Sequence, residues 1–247
     1  MRLPPIRKTG TLIKRYKRFL ADIKLENGEI LTVHCPNSGS MRGCSEPGSP
    51  VILSRSDNPK RKYAWTLEMV RVEGVWVGVN TARTNKIVHE ALENGVIDEW
   101  GRILAIRPEV RVSDKSRLDF QIETETGRIY LEVKNCSLAE DNIALFPDAV
   151  TSRGTRHLLE LAALAGQGYR SAVLFCVQRA DIRAFAPAID IDLVYSRTLA
   201  EVQQQGVRIL AYQADVQPKE IVLARKLPVI ANLENSDQSD RDKIHKT

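Results

Sequence analysis

Residues 117–135 read RLDFQIETETGRIYLEVKN, and this stretch decides the fold of the larger part of the chain. Apolar and polar residues alternate on both sides of the turn sequence TETG at residues 124–127, which predicts a β-hairpin. With that turn at the centre, residues that lie opposite each other have numbers that add up to 251. This register places apolar residues opposite apolar residues on one face of the hairpin, so that face is expected to belong to a core. The opposed pairs on this face are Phe120 with Leu131, Ile122 with Ile129, and Leu118 with Val133.

The other face of the hairpin gathers charge. Asp119 is predicted to lie opposite Glu132, and Lys134 follows on the same face as Glu132. Directly opposed like charges destabilise a strand pair, so the two carboxylates call for a partner. A Mg²⁺ or Mn²⁺ ion would supply it, with the Lys134 ammonium holding a water or stabilising charge on phosphorus. The alternative is a solvated face on which the carboxylates form ion pairs with Lys134 and Arg117.

The segments around the hairpin predict an α/β domain that covers residues 81–230. Ser152 is expected to cap its second helix, because serine is a favoured N-cap residue. The predicted order is a helix at 84–95, strands at 103–107, 118–123 and 128–134, a helix at 152–164, a strand at 172–177, a helix at 192–205, and strands at 208–212 and 220–224.

Residues 1–80 have a different pattern, with short strands, turn residues and no convincing helix. Glu26-Asn27-Gly28-Glu29 and Glu73-Gly74 supply hairpin turns, and a loop rich in Gly, Ser and Pro lies between. Five predicted strands favour a small β-barrel of the oligonucleotide-binding (OB) type. They span residues 19–25, 30–33, 50–54, 65–72 and 75–79. Residues 231–247 are rich in Asn, Ser, Asp and Lys and are expected to be a disordered tail.

The positive charge of the chain is concentrated in the barrel. The net charge is +5, yet residues 1–80 hold 14 Lys and Arg against seven Asp and Glu, whereas residues 81–230 hold 19 against 20. Such asymmetry favours a polyanionic partner, although a basic face can also serve solubility alone. Phosphate contacts position a protein without reading sequence, so we expect binding without sequence specificity. The predicted nucleic-acid contacts on the barrel are Lys14, Arg15, Lys17, Arg18, Arg42, Lys60, Arg61 and Lys62, and Trp65 beside them is assigned to the core.

No apolar run is long enough for a membrane helix, and residues 1–10 lack the apolar segment of a signal peptide. The four cysteines have no CxxC spacing, which favours reduced thiols. We therefore expect a cytoplasmic protein without a membrane partner. The sequence does not predict its oligomeric state.

An aspartate followed by a hairpin turn and Glu-x-Lys, within helix, three strands, helix and strand, resembles the PD-(D/E)xK nuclease superfamily. The residue before the aspartate is Leu118 instead of proline. The resemblance implies a restriction-endonuclease-like α/β domain in which Asp119 and Glu132 are metal ligands and Lys134 orients the attacking water. The main-chain carbonyl of Val133 would complete the coordination.

The segments CPNSGSMRGC, RLDF, YLEVKNCSL and FPDAVTSRGTRHLLEL resemble the bacterial sugar fermentation stimulation protein A family over nearly the whole chain. That resemblance implies an OB-like domain followed by a nuclease-like domain, DNA binding, and a role in regulating sugar (maltose) utilisation genes. Cleavage is not implied. The alternatives are a DNA-binding regulator that keeps the fold without cutting, and a nuclease directed at RNA.

Two helices carry further candidates. Nuclease-like folds often add an acidic ligand from the first helix, where Glu90 stands, although Glu90 is also placed to pair with Lys86. On the second helix, Arg153, Arg156 and His157 lie in the first turns, where cations and free amides attract phosphate. Arg156 is alternatively placed to pair with Glu160.

Overall fold

The computed structural model describes residues 1–113 and 116–230. The tail predicted at residues 231–247 lies outside the described residues. No helix in the described part of the chain has both the length and the apolar character needed to span a membrane.

The first six strands form a barrel with a hairpin extension. The sheet has the order β3-β2-β1-β4-β5-β6, and a bridge between His34 and Thr66 joins β3 to β5, which closes the first five strands into the predicted OB-type barrel. Its interior is an apolar core that includes Cys35 and Cys44, both free thiols. The strands are β1 (Arg7–Tyr16), β2 (Leu20–Leu25), β3 (Ile30–His34), β4 (Pro50–Arg55), β5 (Trp65–Val72) and β6 (Val75–Gly78).

Strand β1 is absent from the sequence-based prediction. Of its ten residues only Leu12 is fully buried, so the strand has no apolar alternation to reveal it. Lys14 and Arg15, two of the predicted nucleic-acid contacts, therefore lie on a strand of the barrel wall.

The second unit is a mixed six-stranded sheet with helices on both faces. A 3-10 helix (Thr81–Arg83) and α1 (Thr84–Glu93) lead from the barrel into it. The remaining elements are β7 (Ile103–Ser113), β8 (Ser116–Thr124), β9 (Gly127–Cys136), β10 (Leu138–Glu140), β11 (Ile143–Phe146), α2 (Ser152–Gly166), β12 (Arg170–Val177), β13 (Ala184–Pro187), α3 (Leu193–Gln204), β14 (Arg208–Gln217) and β15 (Glu220–Leu227).

The large sheet has the order β15-β14-β12-β9-β8-β7, and its three central strands β14, β12 and β9 are parallel. Every predicted helix and strand of this domain is present, although β7 and β14 extend six and five residues beyond the predicted ends at 107 and 212. A small sheet of β10, β11 and β13 was not predicted, because strands of three or four residues are too short for a periodic signal. The α2 cap is Thr151, whose side chain accepts a hydrogen bond from Gly154 N, so the expectation for Ser152 was wrong by one residue.

The hairpin of β8 and β9 has the predicted register from Phe120 opposite Leu131 to Thr124 opposite Gly127. The regular pairing ends one step before Asp119 and Glu132. The apolar side chains divide between two cores, since Phe120 packs on the α1 side and Leu118 joins the core beneath α2 and α3. The prediction of one continuous apolar face therefore fails at Leu118, at the place where the two strands separate.

Candidate functional site

Asp119, Glu132 and Lys134 meet where β8 and β9 separate. Asp119 comes from β8, whereas Glu132 and Lys134 come from β9, with a helix on each side of the sheet. Helix α1 supplies Asn85, whose Nδ2 donates to Asp119 Oδ1 at 2.7 Å. Helix α2 supplies His157, whose Nδ1 is hydrogen-bonded to Glu132 Oε1. Both helices thus fix the carboxylates of the hairpin.

The position of Asp119 follows from the end of the strand ladder. Its Oδ2 accepts a hydrogen bond from Val133 N at 2.7 Å, so the carboxylate takes over the main-chain donor that regular pairing would have used. Asp119 and Glu132 are therefore neighbours and not a directly opposed pair. Asn85, which the sequence reading missed, carries no signal beyond its place in the first turn of α1.

Glu132 is enclosed, with its side chain only 4% exposed. Lys134 Nζ lies 2.6 Å from Glu132 Oε1, and this ion pair is buried instead of lying on the solvated face of the alternative reading. The other oxygen, Oε2, is buried and has no hydrogen-bond partner among the described residues. A buried carboxylate oxygen without a donor carries a desolvation cost, which a bound cation would offset.

The two carboxylates have pKa values shifted in opposite directions. Burial raises the pKa of Asp119, and the nearby charge of Glu132 raises it further. Burial also raises the pKa of Glu132, but the hydrogen bond from His157 and the charge of Lys134 outweigh burial and bring the pKa below its ordinary value. The partners of Glu132 thus lower its pKa, whereas burial and the neighbouring charge raise that of Asp119.

The residues present fit a hard divalent cation with few protein ligands. Within the described residues, no group of three or more His, Cys, Asp and Glu side chains is arranged to hold a metal. Asp119 and Glu132 offer two carboxylates, one of which has an oxygen without a partner. Mg²⁺ commonly binds through one or two carboxylates and takes its other ligands from water and phosphate oxygens.

Glu90 does not join this pair. Its Oε1 accepts from the Met1 ammonium at 2.8 Å, and the same ammonium donates to Ile221 O. Among the described residues, the contacts of Glu90 include no ion pair with Lys86 and none with the two candidate metal ligands. Sequence spacing gave no hint of this partner, which lies 89 residues away.

The three candidate phosphate-binding residues on α2 differ in how deeply their side chains are buried. His157 is buried against Glu132, so it positions a carboxylate instead of presenting a free ring to phosphate. Arg153 and Arg156 are exposed, and Arg153 Nε lies 3.5 Å from His157 Nε2. Glu160, the expected partner of Arg156, accepts a hydrogen bond from Ser113 Oγ. The two arginines remain predictions as phosphate contacts.

A cleft of about 310 Å³ opens beside Lys134, between the barrel and the large sheet. Arg18 of the barrel and Lys134 are its lining cations, and Asp148 is its acidic residue. The barrel loop that closes one side is fixed at its base, because Met41 N and Ser40 Oγ both donate to Asp148. The barrel therefore forms one wall of the cavity that gives access to Lys134.

Arg15, one of the predicted nucleic-acid contacts, has several hydrogen bonds within the protein. Its guanidinium donates to the carbonyl oxygens of Asn37, Gly39, Ser40 and Arg18, so it holds the cleft loop together. Because most of its bonded donors are turned to these carbonyl oxygens, Arg15 positions the loop, and its role as a phosphate contact stays a prediction.

The other predicted barrel cations face solvent to different degrees. Lys14 is 63% exposed and pairs with Asp22, whereas Arg61 is half-buried and donates to Thr66 Oγ1 at 3.0 Å. Trp65 is half-buried, packs against the barrel core and has Lys8 Nζ 5.0 Å from its ring centroid. The other exposed members are Lys17, Arg18, Arg42, Lys60 and Lys62.

A groove of about 540 Å³ runs along the barrel. Its lining includes Arg61 and Lys62, which the sequence singled out, and Arg55 and Arg83, which it did not. The side chain of Arg83 is fixed by the fully buried Glu68, because Arg83 Nη2 donates to Glu68 Oε1 at 2.8 Å. Neither arginine lies in a run of charge, so only the folded barrel reveals this cluster.

These features define a class of protein with an OB-type barrel joined to a restriction-endonuclease-like α/β domain, in which a lysine and two carboxylates cluster on two adjacent strands, β8 and β9. The family model described as the SfsA N-terminal OB domain matches residues 13–79, and the model described as the sugar fermentation stimulation protein RE domain matches residues 82–220. The chain belongs to the sugar fermentation stimulation protein family.

Individual relatives agree with this assignment. The sugar fermentation stimulation protein homolog of Desulfotalea psychrophila is 53% identical over 225 residues, spanning 91% of this chain and 93% of that protein. The homolog of Pelobacter propionicus is 52% identical over 230 residues, spanning 93% of this chain and 100% of that protein. The structure of Pyrococcus furiosus SfsA in complex with Ca²⁺ matches with a TM-score of 0.85 and 25% identity, covering 93% of this chain and 98% of that one.

Proposed function

We propose that this protein is a nucleic-acid-binding phosphodiesterase that uses a divalent cation, Mg²⁺ or Mn²⁺, held by Asp119 and Glu132. The observation that carries the proposal is the buried Glu132 carboxylate, with one oxygen lacking a partner in the described chain and the other 2.6 Å from Lys134. The Ca²⁺ complex of the Pyrococcus relative supports it, because Ca²⁺ is also a hard cation that takes oxygen ligands.

The chemistry divides among few groups. When bound, the cation would polarise a phosphoryl oxygen and neutralise the two carboxylates. Lys134 is placed at the cleft, where its ammonium would orient a water and stabilise negative charge on phosphorus. His157 holds Glu132 in place from α2, and Asn85 holds Asp119 from α1. In this proposal the chain positions the phosphodiester and the attacking water, and no side chain acts as the nucleophile.

The basic barrel is the proposed nucleic-acid-binding surface. Its cations would contact phosphates, which gives affinity without sequence readout. The relatives' name associates them with sugar fermentation, and we propose that such a role in this protein, including one in maltose utilisation, would act through DNA binding.

A second candidate is a regulator that binds DNA and does not cut it. One observation favours it, because Lys134 and His157 already occupy Glu132 Oε1 and the charge of Lys134 offsets that of the carboxylate. Because the charge of this carboxylate is already compensated by an ion pair, a bound metal ion would stabilise it less.

A cleavage assay separates the two candidates. Labelled single-stranded DNA, duplex DNA and RNA would be incubated with the full chain and Mg²⁺ or Mn²⁺, with EDTA as the metal-free arm. We expect metal-dependent cleavage that is abolished in Glu132→Gln and reduced about a hundredfold in Lys134→Ala, while both variants still bind. Glu140→Gln is the matched control, since Glu140 is exposed on β10. Binding without cleavage of any substrate by the unmodified chain would establish the regulator instead.

A further inference from the structure

The barrel groove and the cleft beside Lys134 are adjacent cavities. Pro36 and Ala82 line the groove, whereas the next residue after Pro36, Asn37, and the residue before Ala82, Thr81, line the cleft. Thr81 N and Oγ1 both donate to Pro36 O, at 3.1 and 2.8 Å, so one hydrogen-bonded junction lies between the two cavities. A ligand longer than either cavity would cross this junction.

The groove has the chemistry of a polyanion site. Its lining carries the cations Arg55, Arg61 and Lys62 against Asp57, together with Arg83, whose charge is paired with Glu68. Tyr63 adds an aromatic ring, which is half-buried and has Lys62 Nζ 5.5 Å from its centroid. A ring among cations is the arrangement on which an unpaired base stacks while its phosphates are neutralised.

The cleft limits what can reach Lys134. Its volume of about 310 Å³ lies at the lower end of the range for small-molecule pockets, roughly 300 to 1,000 Å³. A base pair stacked within a duplex does not enter a pocket of this size, whereas a single nucleotide does. Enzymes that act in such pockets take single-stranded substrate or pull a nucleotide out of the duplex.

We propose that groove and cleft together bind one unpaired polynucleotide strand, with its bases toward Tyr63 and its backbone leading past Arg18 to Lys134. Binding in the cleft beside Lys134 rests on the proposed function, whereas binding in the barrel groove does not. DNA and RNA share the chemistry recognised here, namely phosphates and unpaired bases. The two are distinguished by experiment.

Binding is measured without cleavage. Labelled single-stranded DNA and RNA of about 16 nucleotides, the upper site size of an OB fold, and the matching DNA duplex are titrated with the full chain in EDTA. We expect a single strand to bind more tightly than the duplex and Tyr63→Ala to weaken that binding about tenfold, the loss of one stacked base. Arg55→Ala and Lys62→Ala are also expected to weaken it. Lys24→Ala and Arg71→Ala are matched controls, being exposed barrel cations outside both cavities.

The outcomes distinguish this inference from the proposed function. Equal or tighter binding of the duplex overturns the inference, as does unchanged single-strand binding in folded Tyr63→Ala, Arg55→Ala and Lys62→Ala. Metal-dependent cleavage of duplex DNA in that case would leave the proposed function standing. Conversely, single-strand binding that depends on the groove residues, with no cleavage in Mg²⁺ or Mn²⁺, would support strand binding in the groove and contradict the proposed nuclease activity.

Discussion

Glu68 is fully enclosed beneath the barrel groove, and three side chains donate to it. Ser54 Oγ lies at 2.5 Å, Asn80 Nδ2 at 2.8 Å and Arg83 NH2 at 2.8 Å. We expect Glu68→Ala to lower the free energy of unfolding by about 3 to 5 kcal/mol, because it leaves a charge and two polar groups without a partner. Urea unfolding measures this. Glu46→Ala, on an exposed loop, is expected to change stability by less than about 0.5 kcal/mol, and an equal loss in both would contradict the argument.

Gly39 lies where the barrel loop touches Asp148. A Cβ at this position would lie 2.6 Å from Asp148 Oδ1, so Gly39→Ala must displace the carboxylate that accepts from Met41 N. We expect a loss of about 1 to 3 kcal/mol in unfolding free energy. Gly166→Ala is the control, because a Cβ there meets nothing within 4 Å. Thermal unfolding of the two variants compares them, and a stable Gly39→Ala would show that the loop does not pack as described.

Residue identity alone predicted part of the site. The alternation of one hairpin was enough to bring Asp119, Glu132 and Lys134 together, because strand periodicity fixes which side chains are neighbours. It could not show that Arg15 is used inside the barrel, since its four carbonyl partners depend on how a distant loop folds. The same holds for His157, whose burial against Glu132 depends on how α2 packs on the sheet.

At the scale of elements, the start of α2 offers a direct comparison between neighbours. Thr151 Oγ1 accepts from Gly154 N at 3.1 Å, whereas Ser152 is exposed in the first turn. We expect Thr151→Ala to cost about 1 kcal/mol of stability and Ser152→Ala to cost much less. Chemical denaturation of both variants tests this. A larger effect at Ser152 would place the cap where the sequence reading put it.

Elements with strong periodicity were predictable and those without it were not. Helix α1 and strand β12 bury regular apolar positions, so their patterns identify them. Strand β1 has one fully buried residue, and β13 has four residues that include a proline, so neither leaves a pattern. Their places are set by the strands that pair with them.

At the scale of the whole molecule, Glu99 ties the segment after α1 to strands β14 and β15. It pairs with Arg208, with Lys226 at 2.5 Å and with Tyr212 OH at 2.8 Å. Burial raises the pKa of Glu99, but the hydrogen bonds from Lys226 and Tyr212 and the charge of Arg208 bring it below the ordinary 4.5. A depressed folded pKa stabilises the fold above the ordinary value, and this contribution is lost as pH falls through the folded pKa.

We therefore expect the Tm of the unmodified chain to fall more steeply on acidification below about pH 4.5 than that of Glu99→Gln. Because Arg208 and Lys226 are about half exposed, the contribution of Glu99 is expected to be about 1 kcal/mol. Calorimetry across this pH range gives both curves, with Glu140→Gln as the exposed control. Parallel curves for the unmodified chain and Glu99→Gln would show that Glu99 does not contribute.

The arrangement of the two units was predictable only in part. The change from β-hairpin to helix periodicity near residue 80 separates two patterns, but contacts such as Asp148 with the barrel loop join residues 107 positions apart. No local pattern encodes them. The cleft beside Lys134 is closed on one side by these contacts, so the sequence predicted the cluster of Asp119, Glu132 and Lys134 without the cavity that gives access to it.

The central claim is that Asp119 and Glu132 hold a divalent cation, and a Mn²⁺ titration followed by electron paramagnetic resonance tests it most directly. The unmodified chain is expected to bind one Mn²⁺, and Glu132→Gln to bind it about tenfold more weakly or worse, since even outer-shell changes at metal sites have effects of that size. Glu140→Gln is expected to bind as the unmodified chain does. Equal Mn²⁺ binding by the unmodified chain and Glu132→Gln, or no binding by either, would contradict the claim.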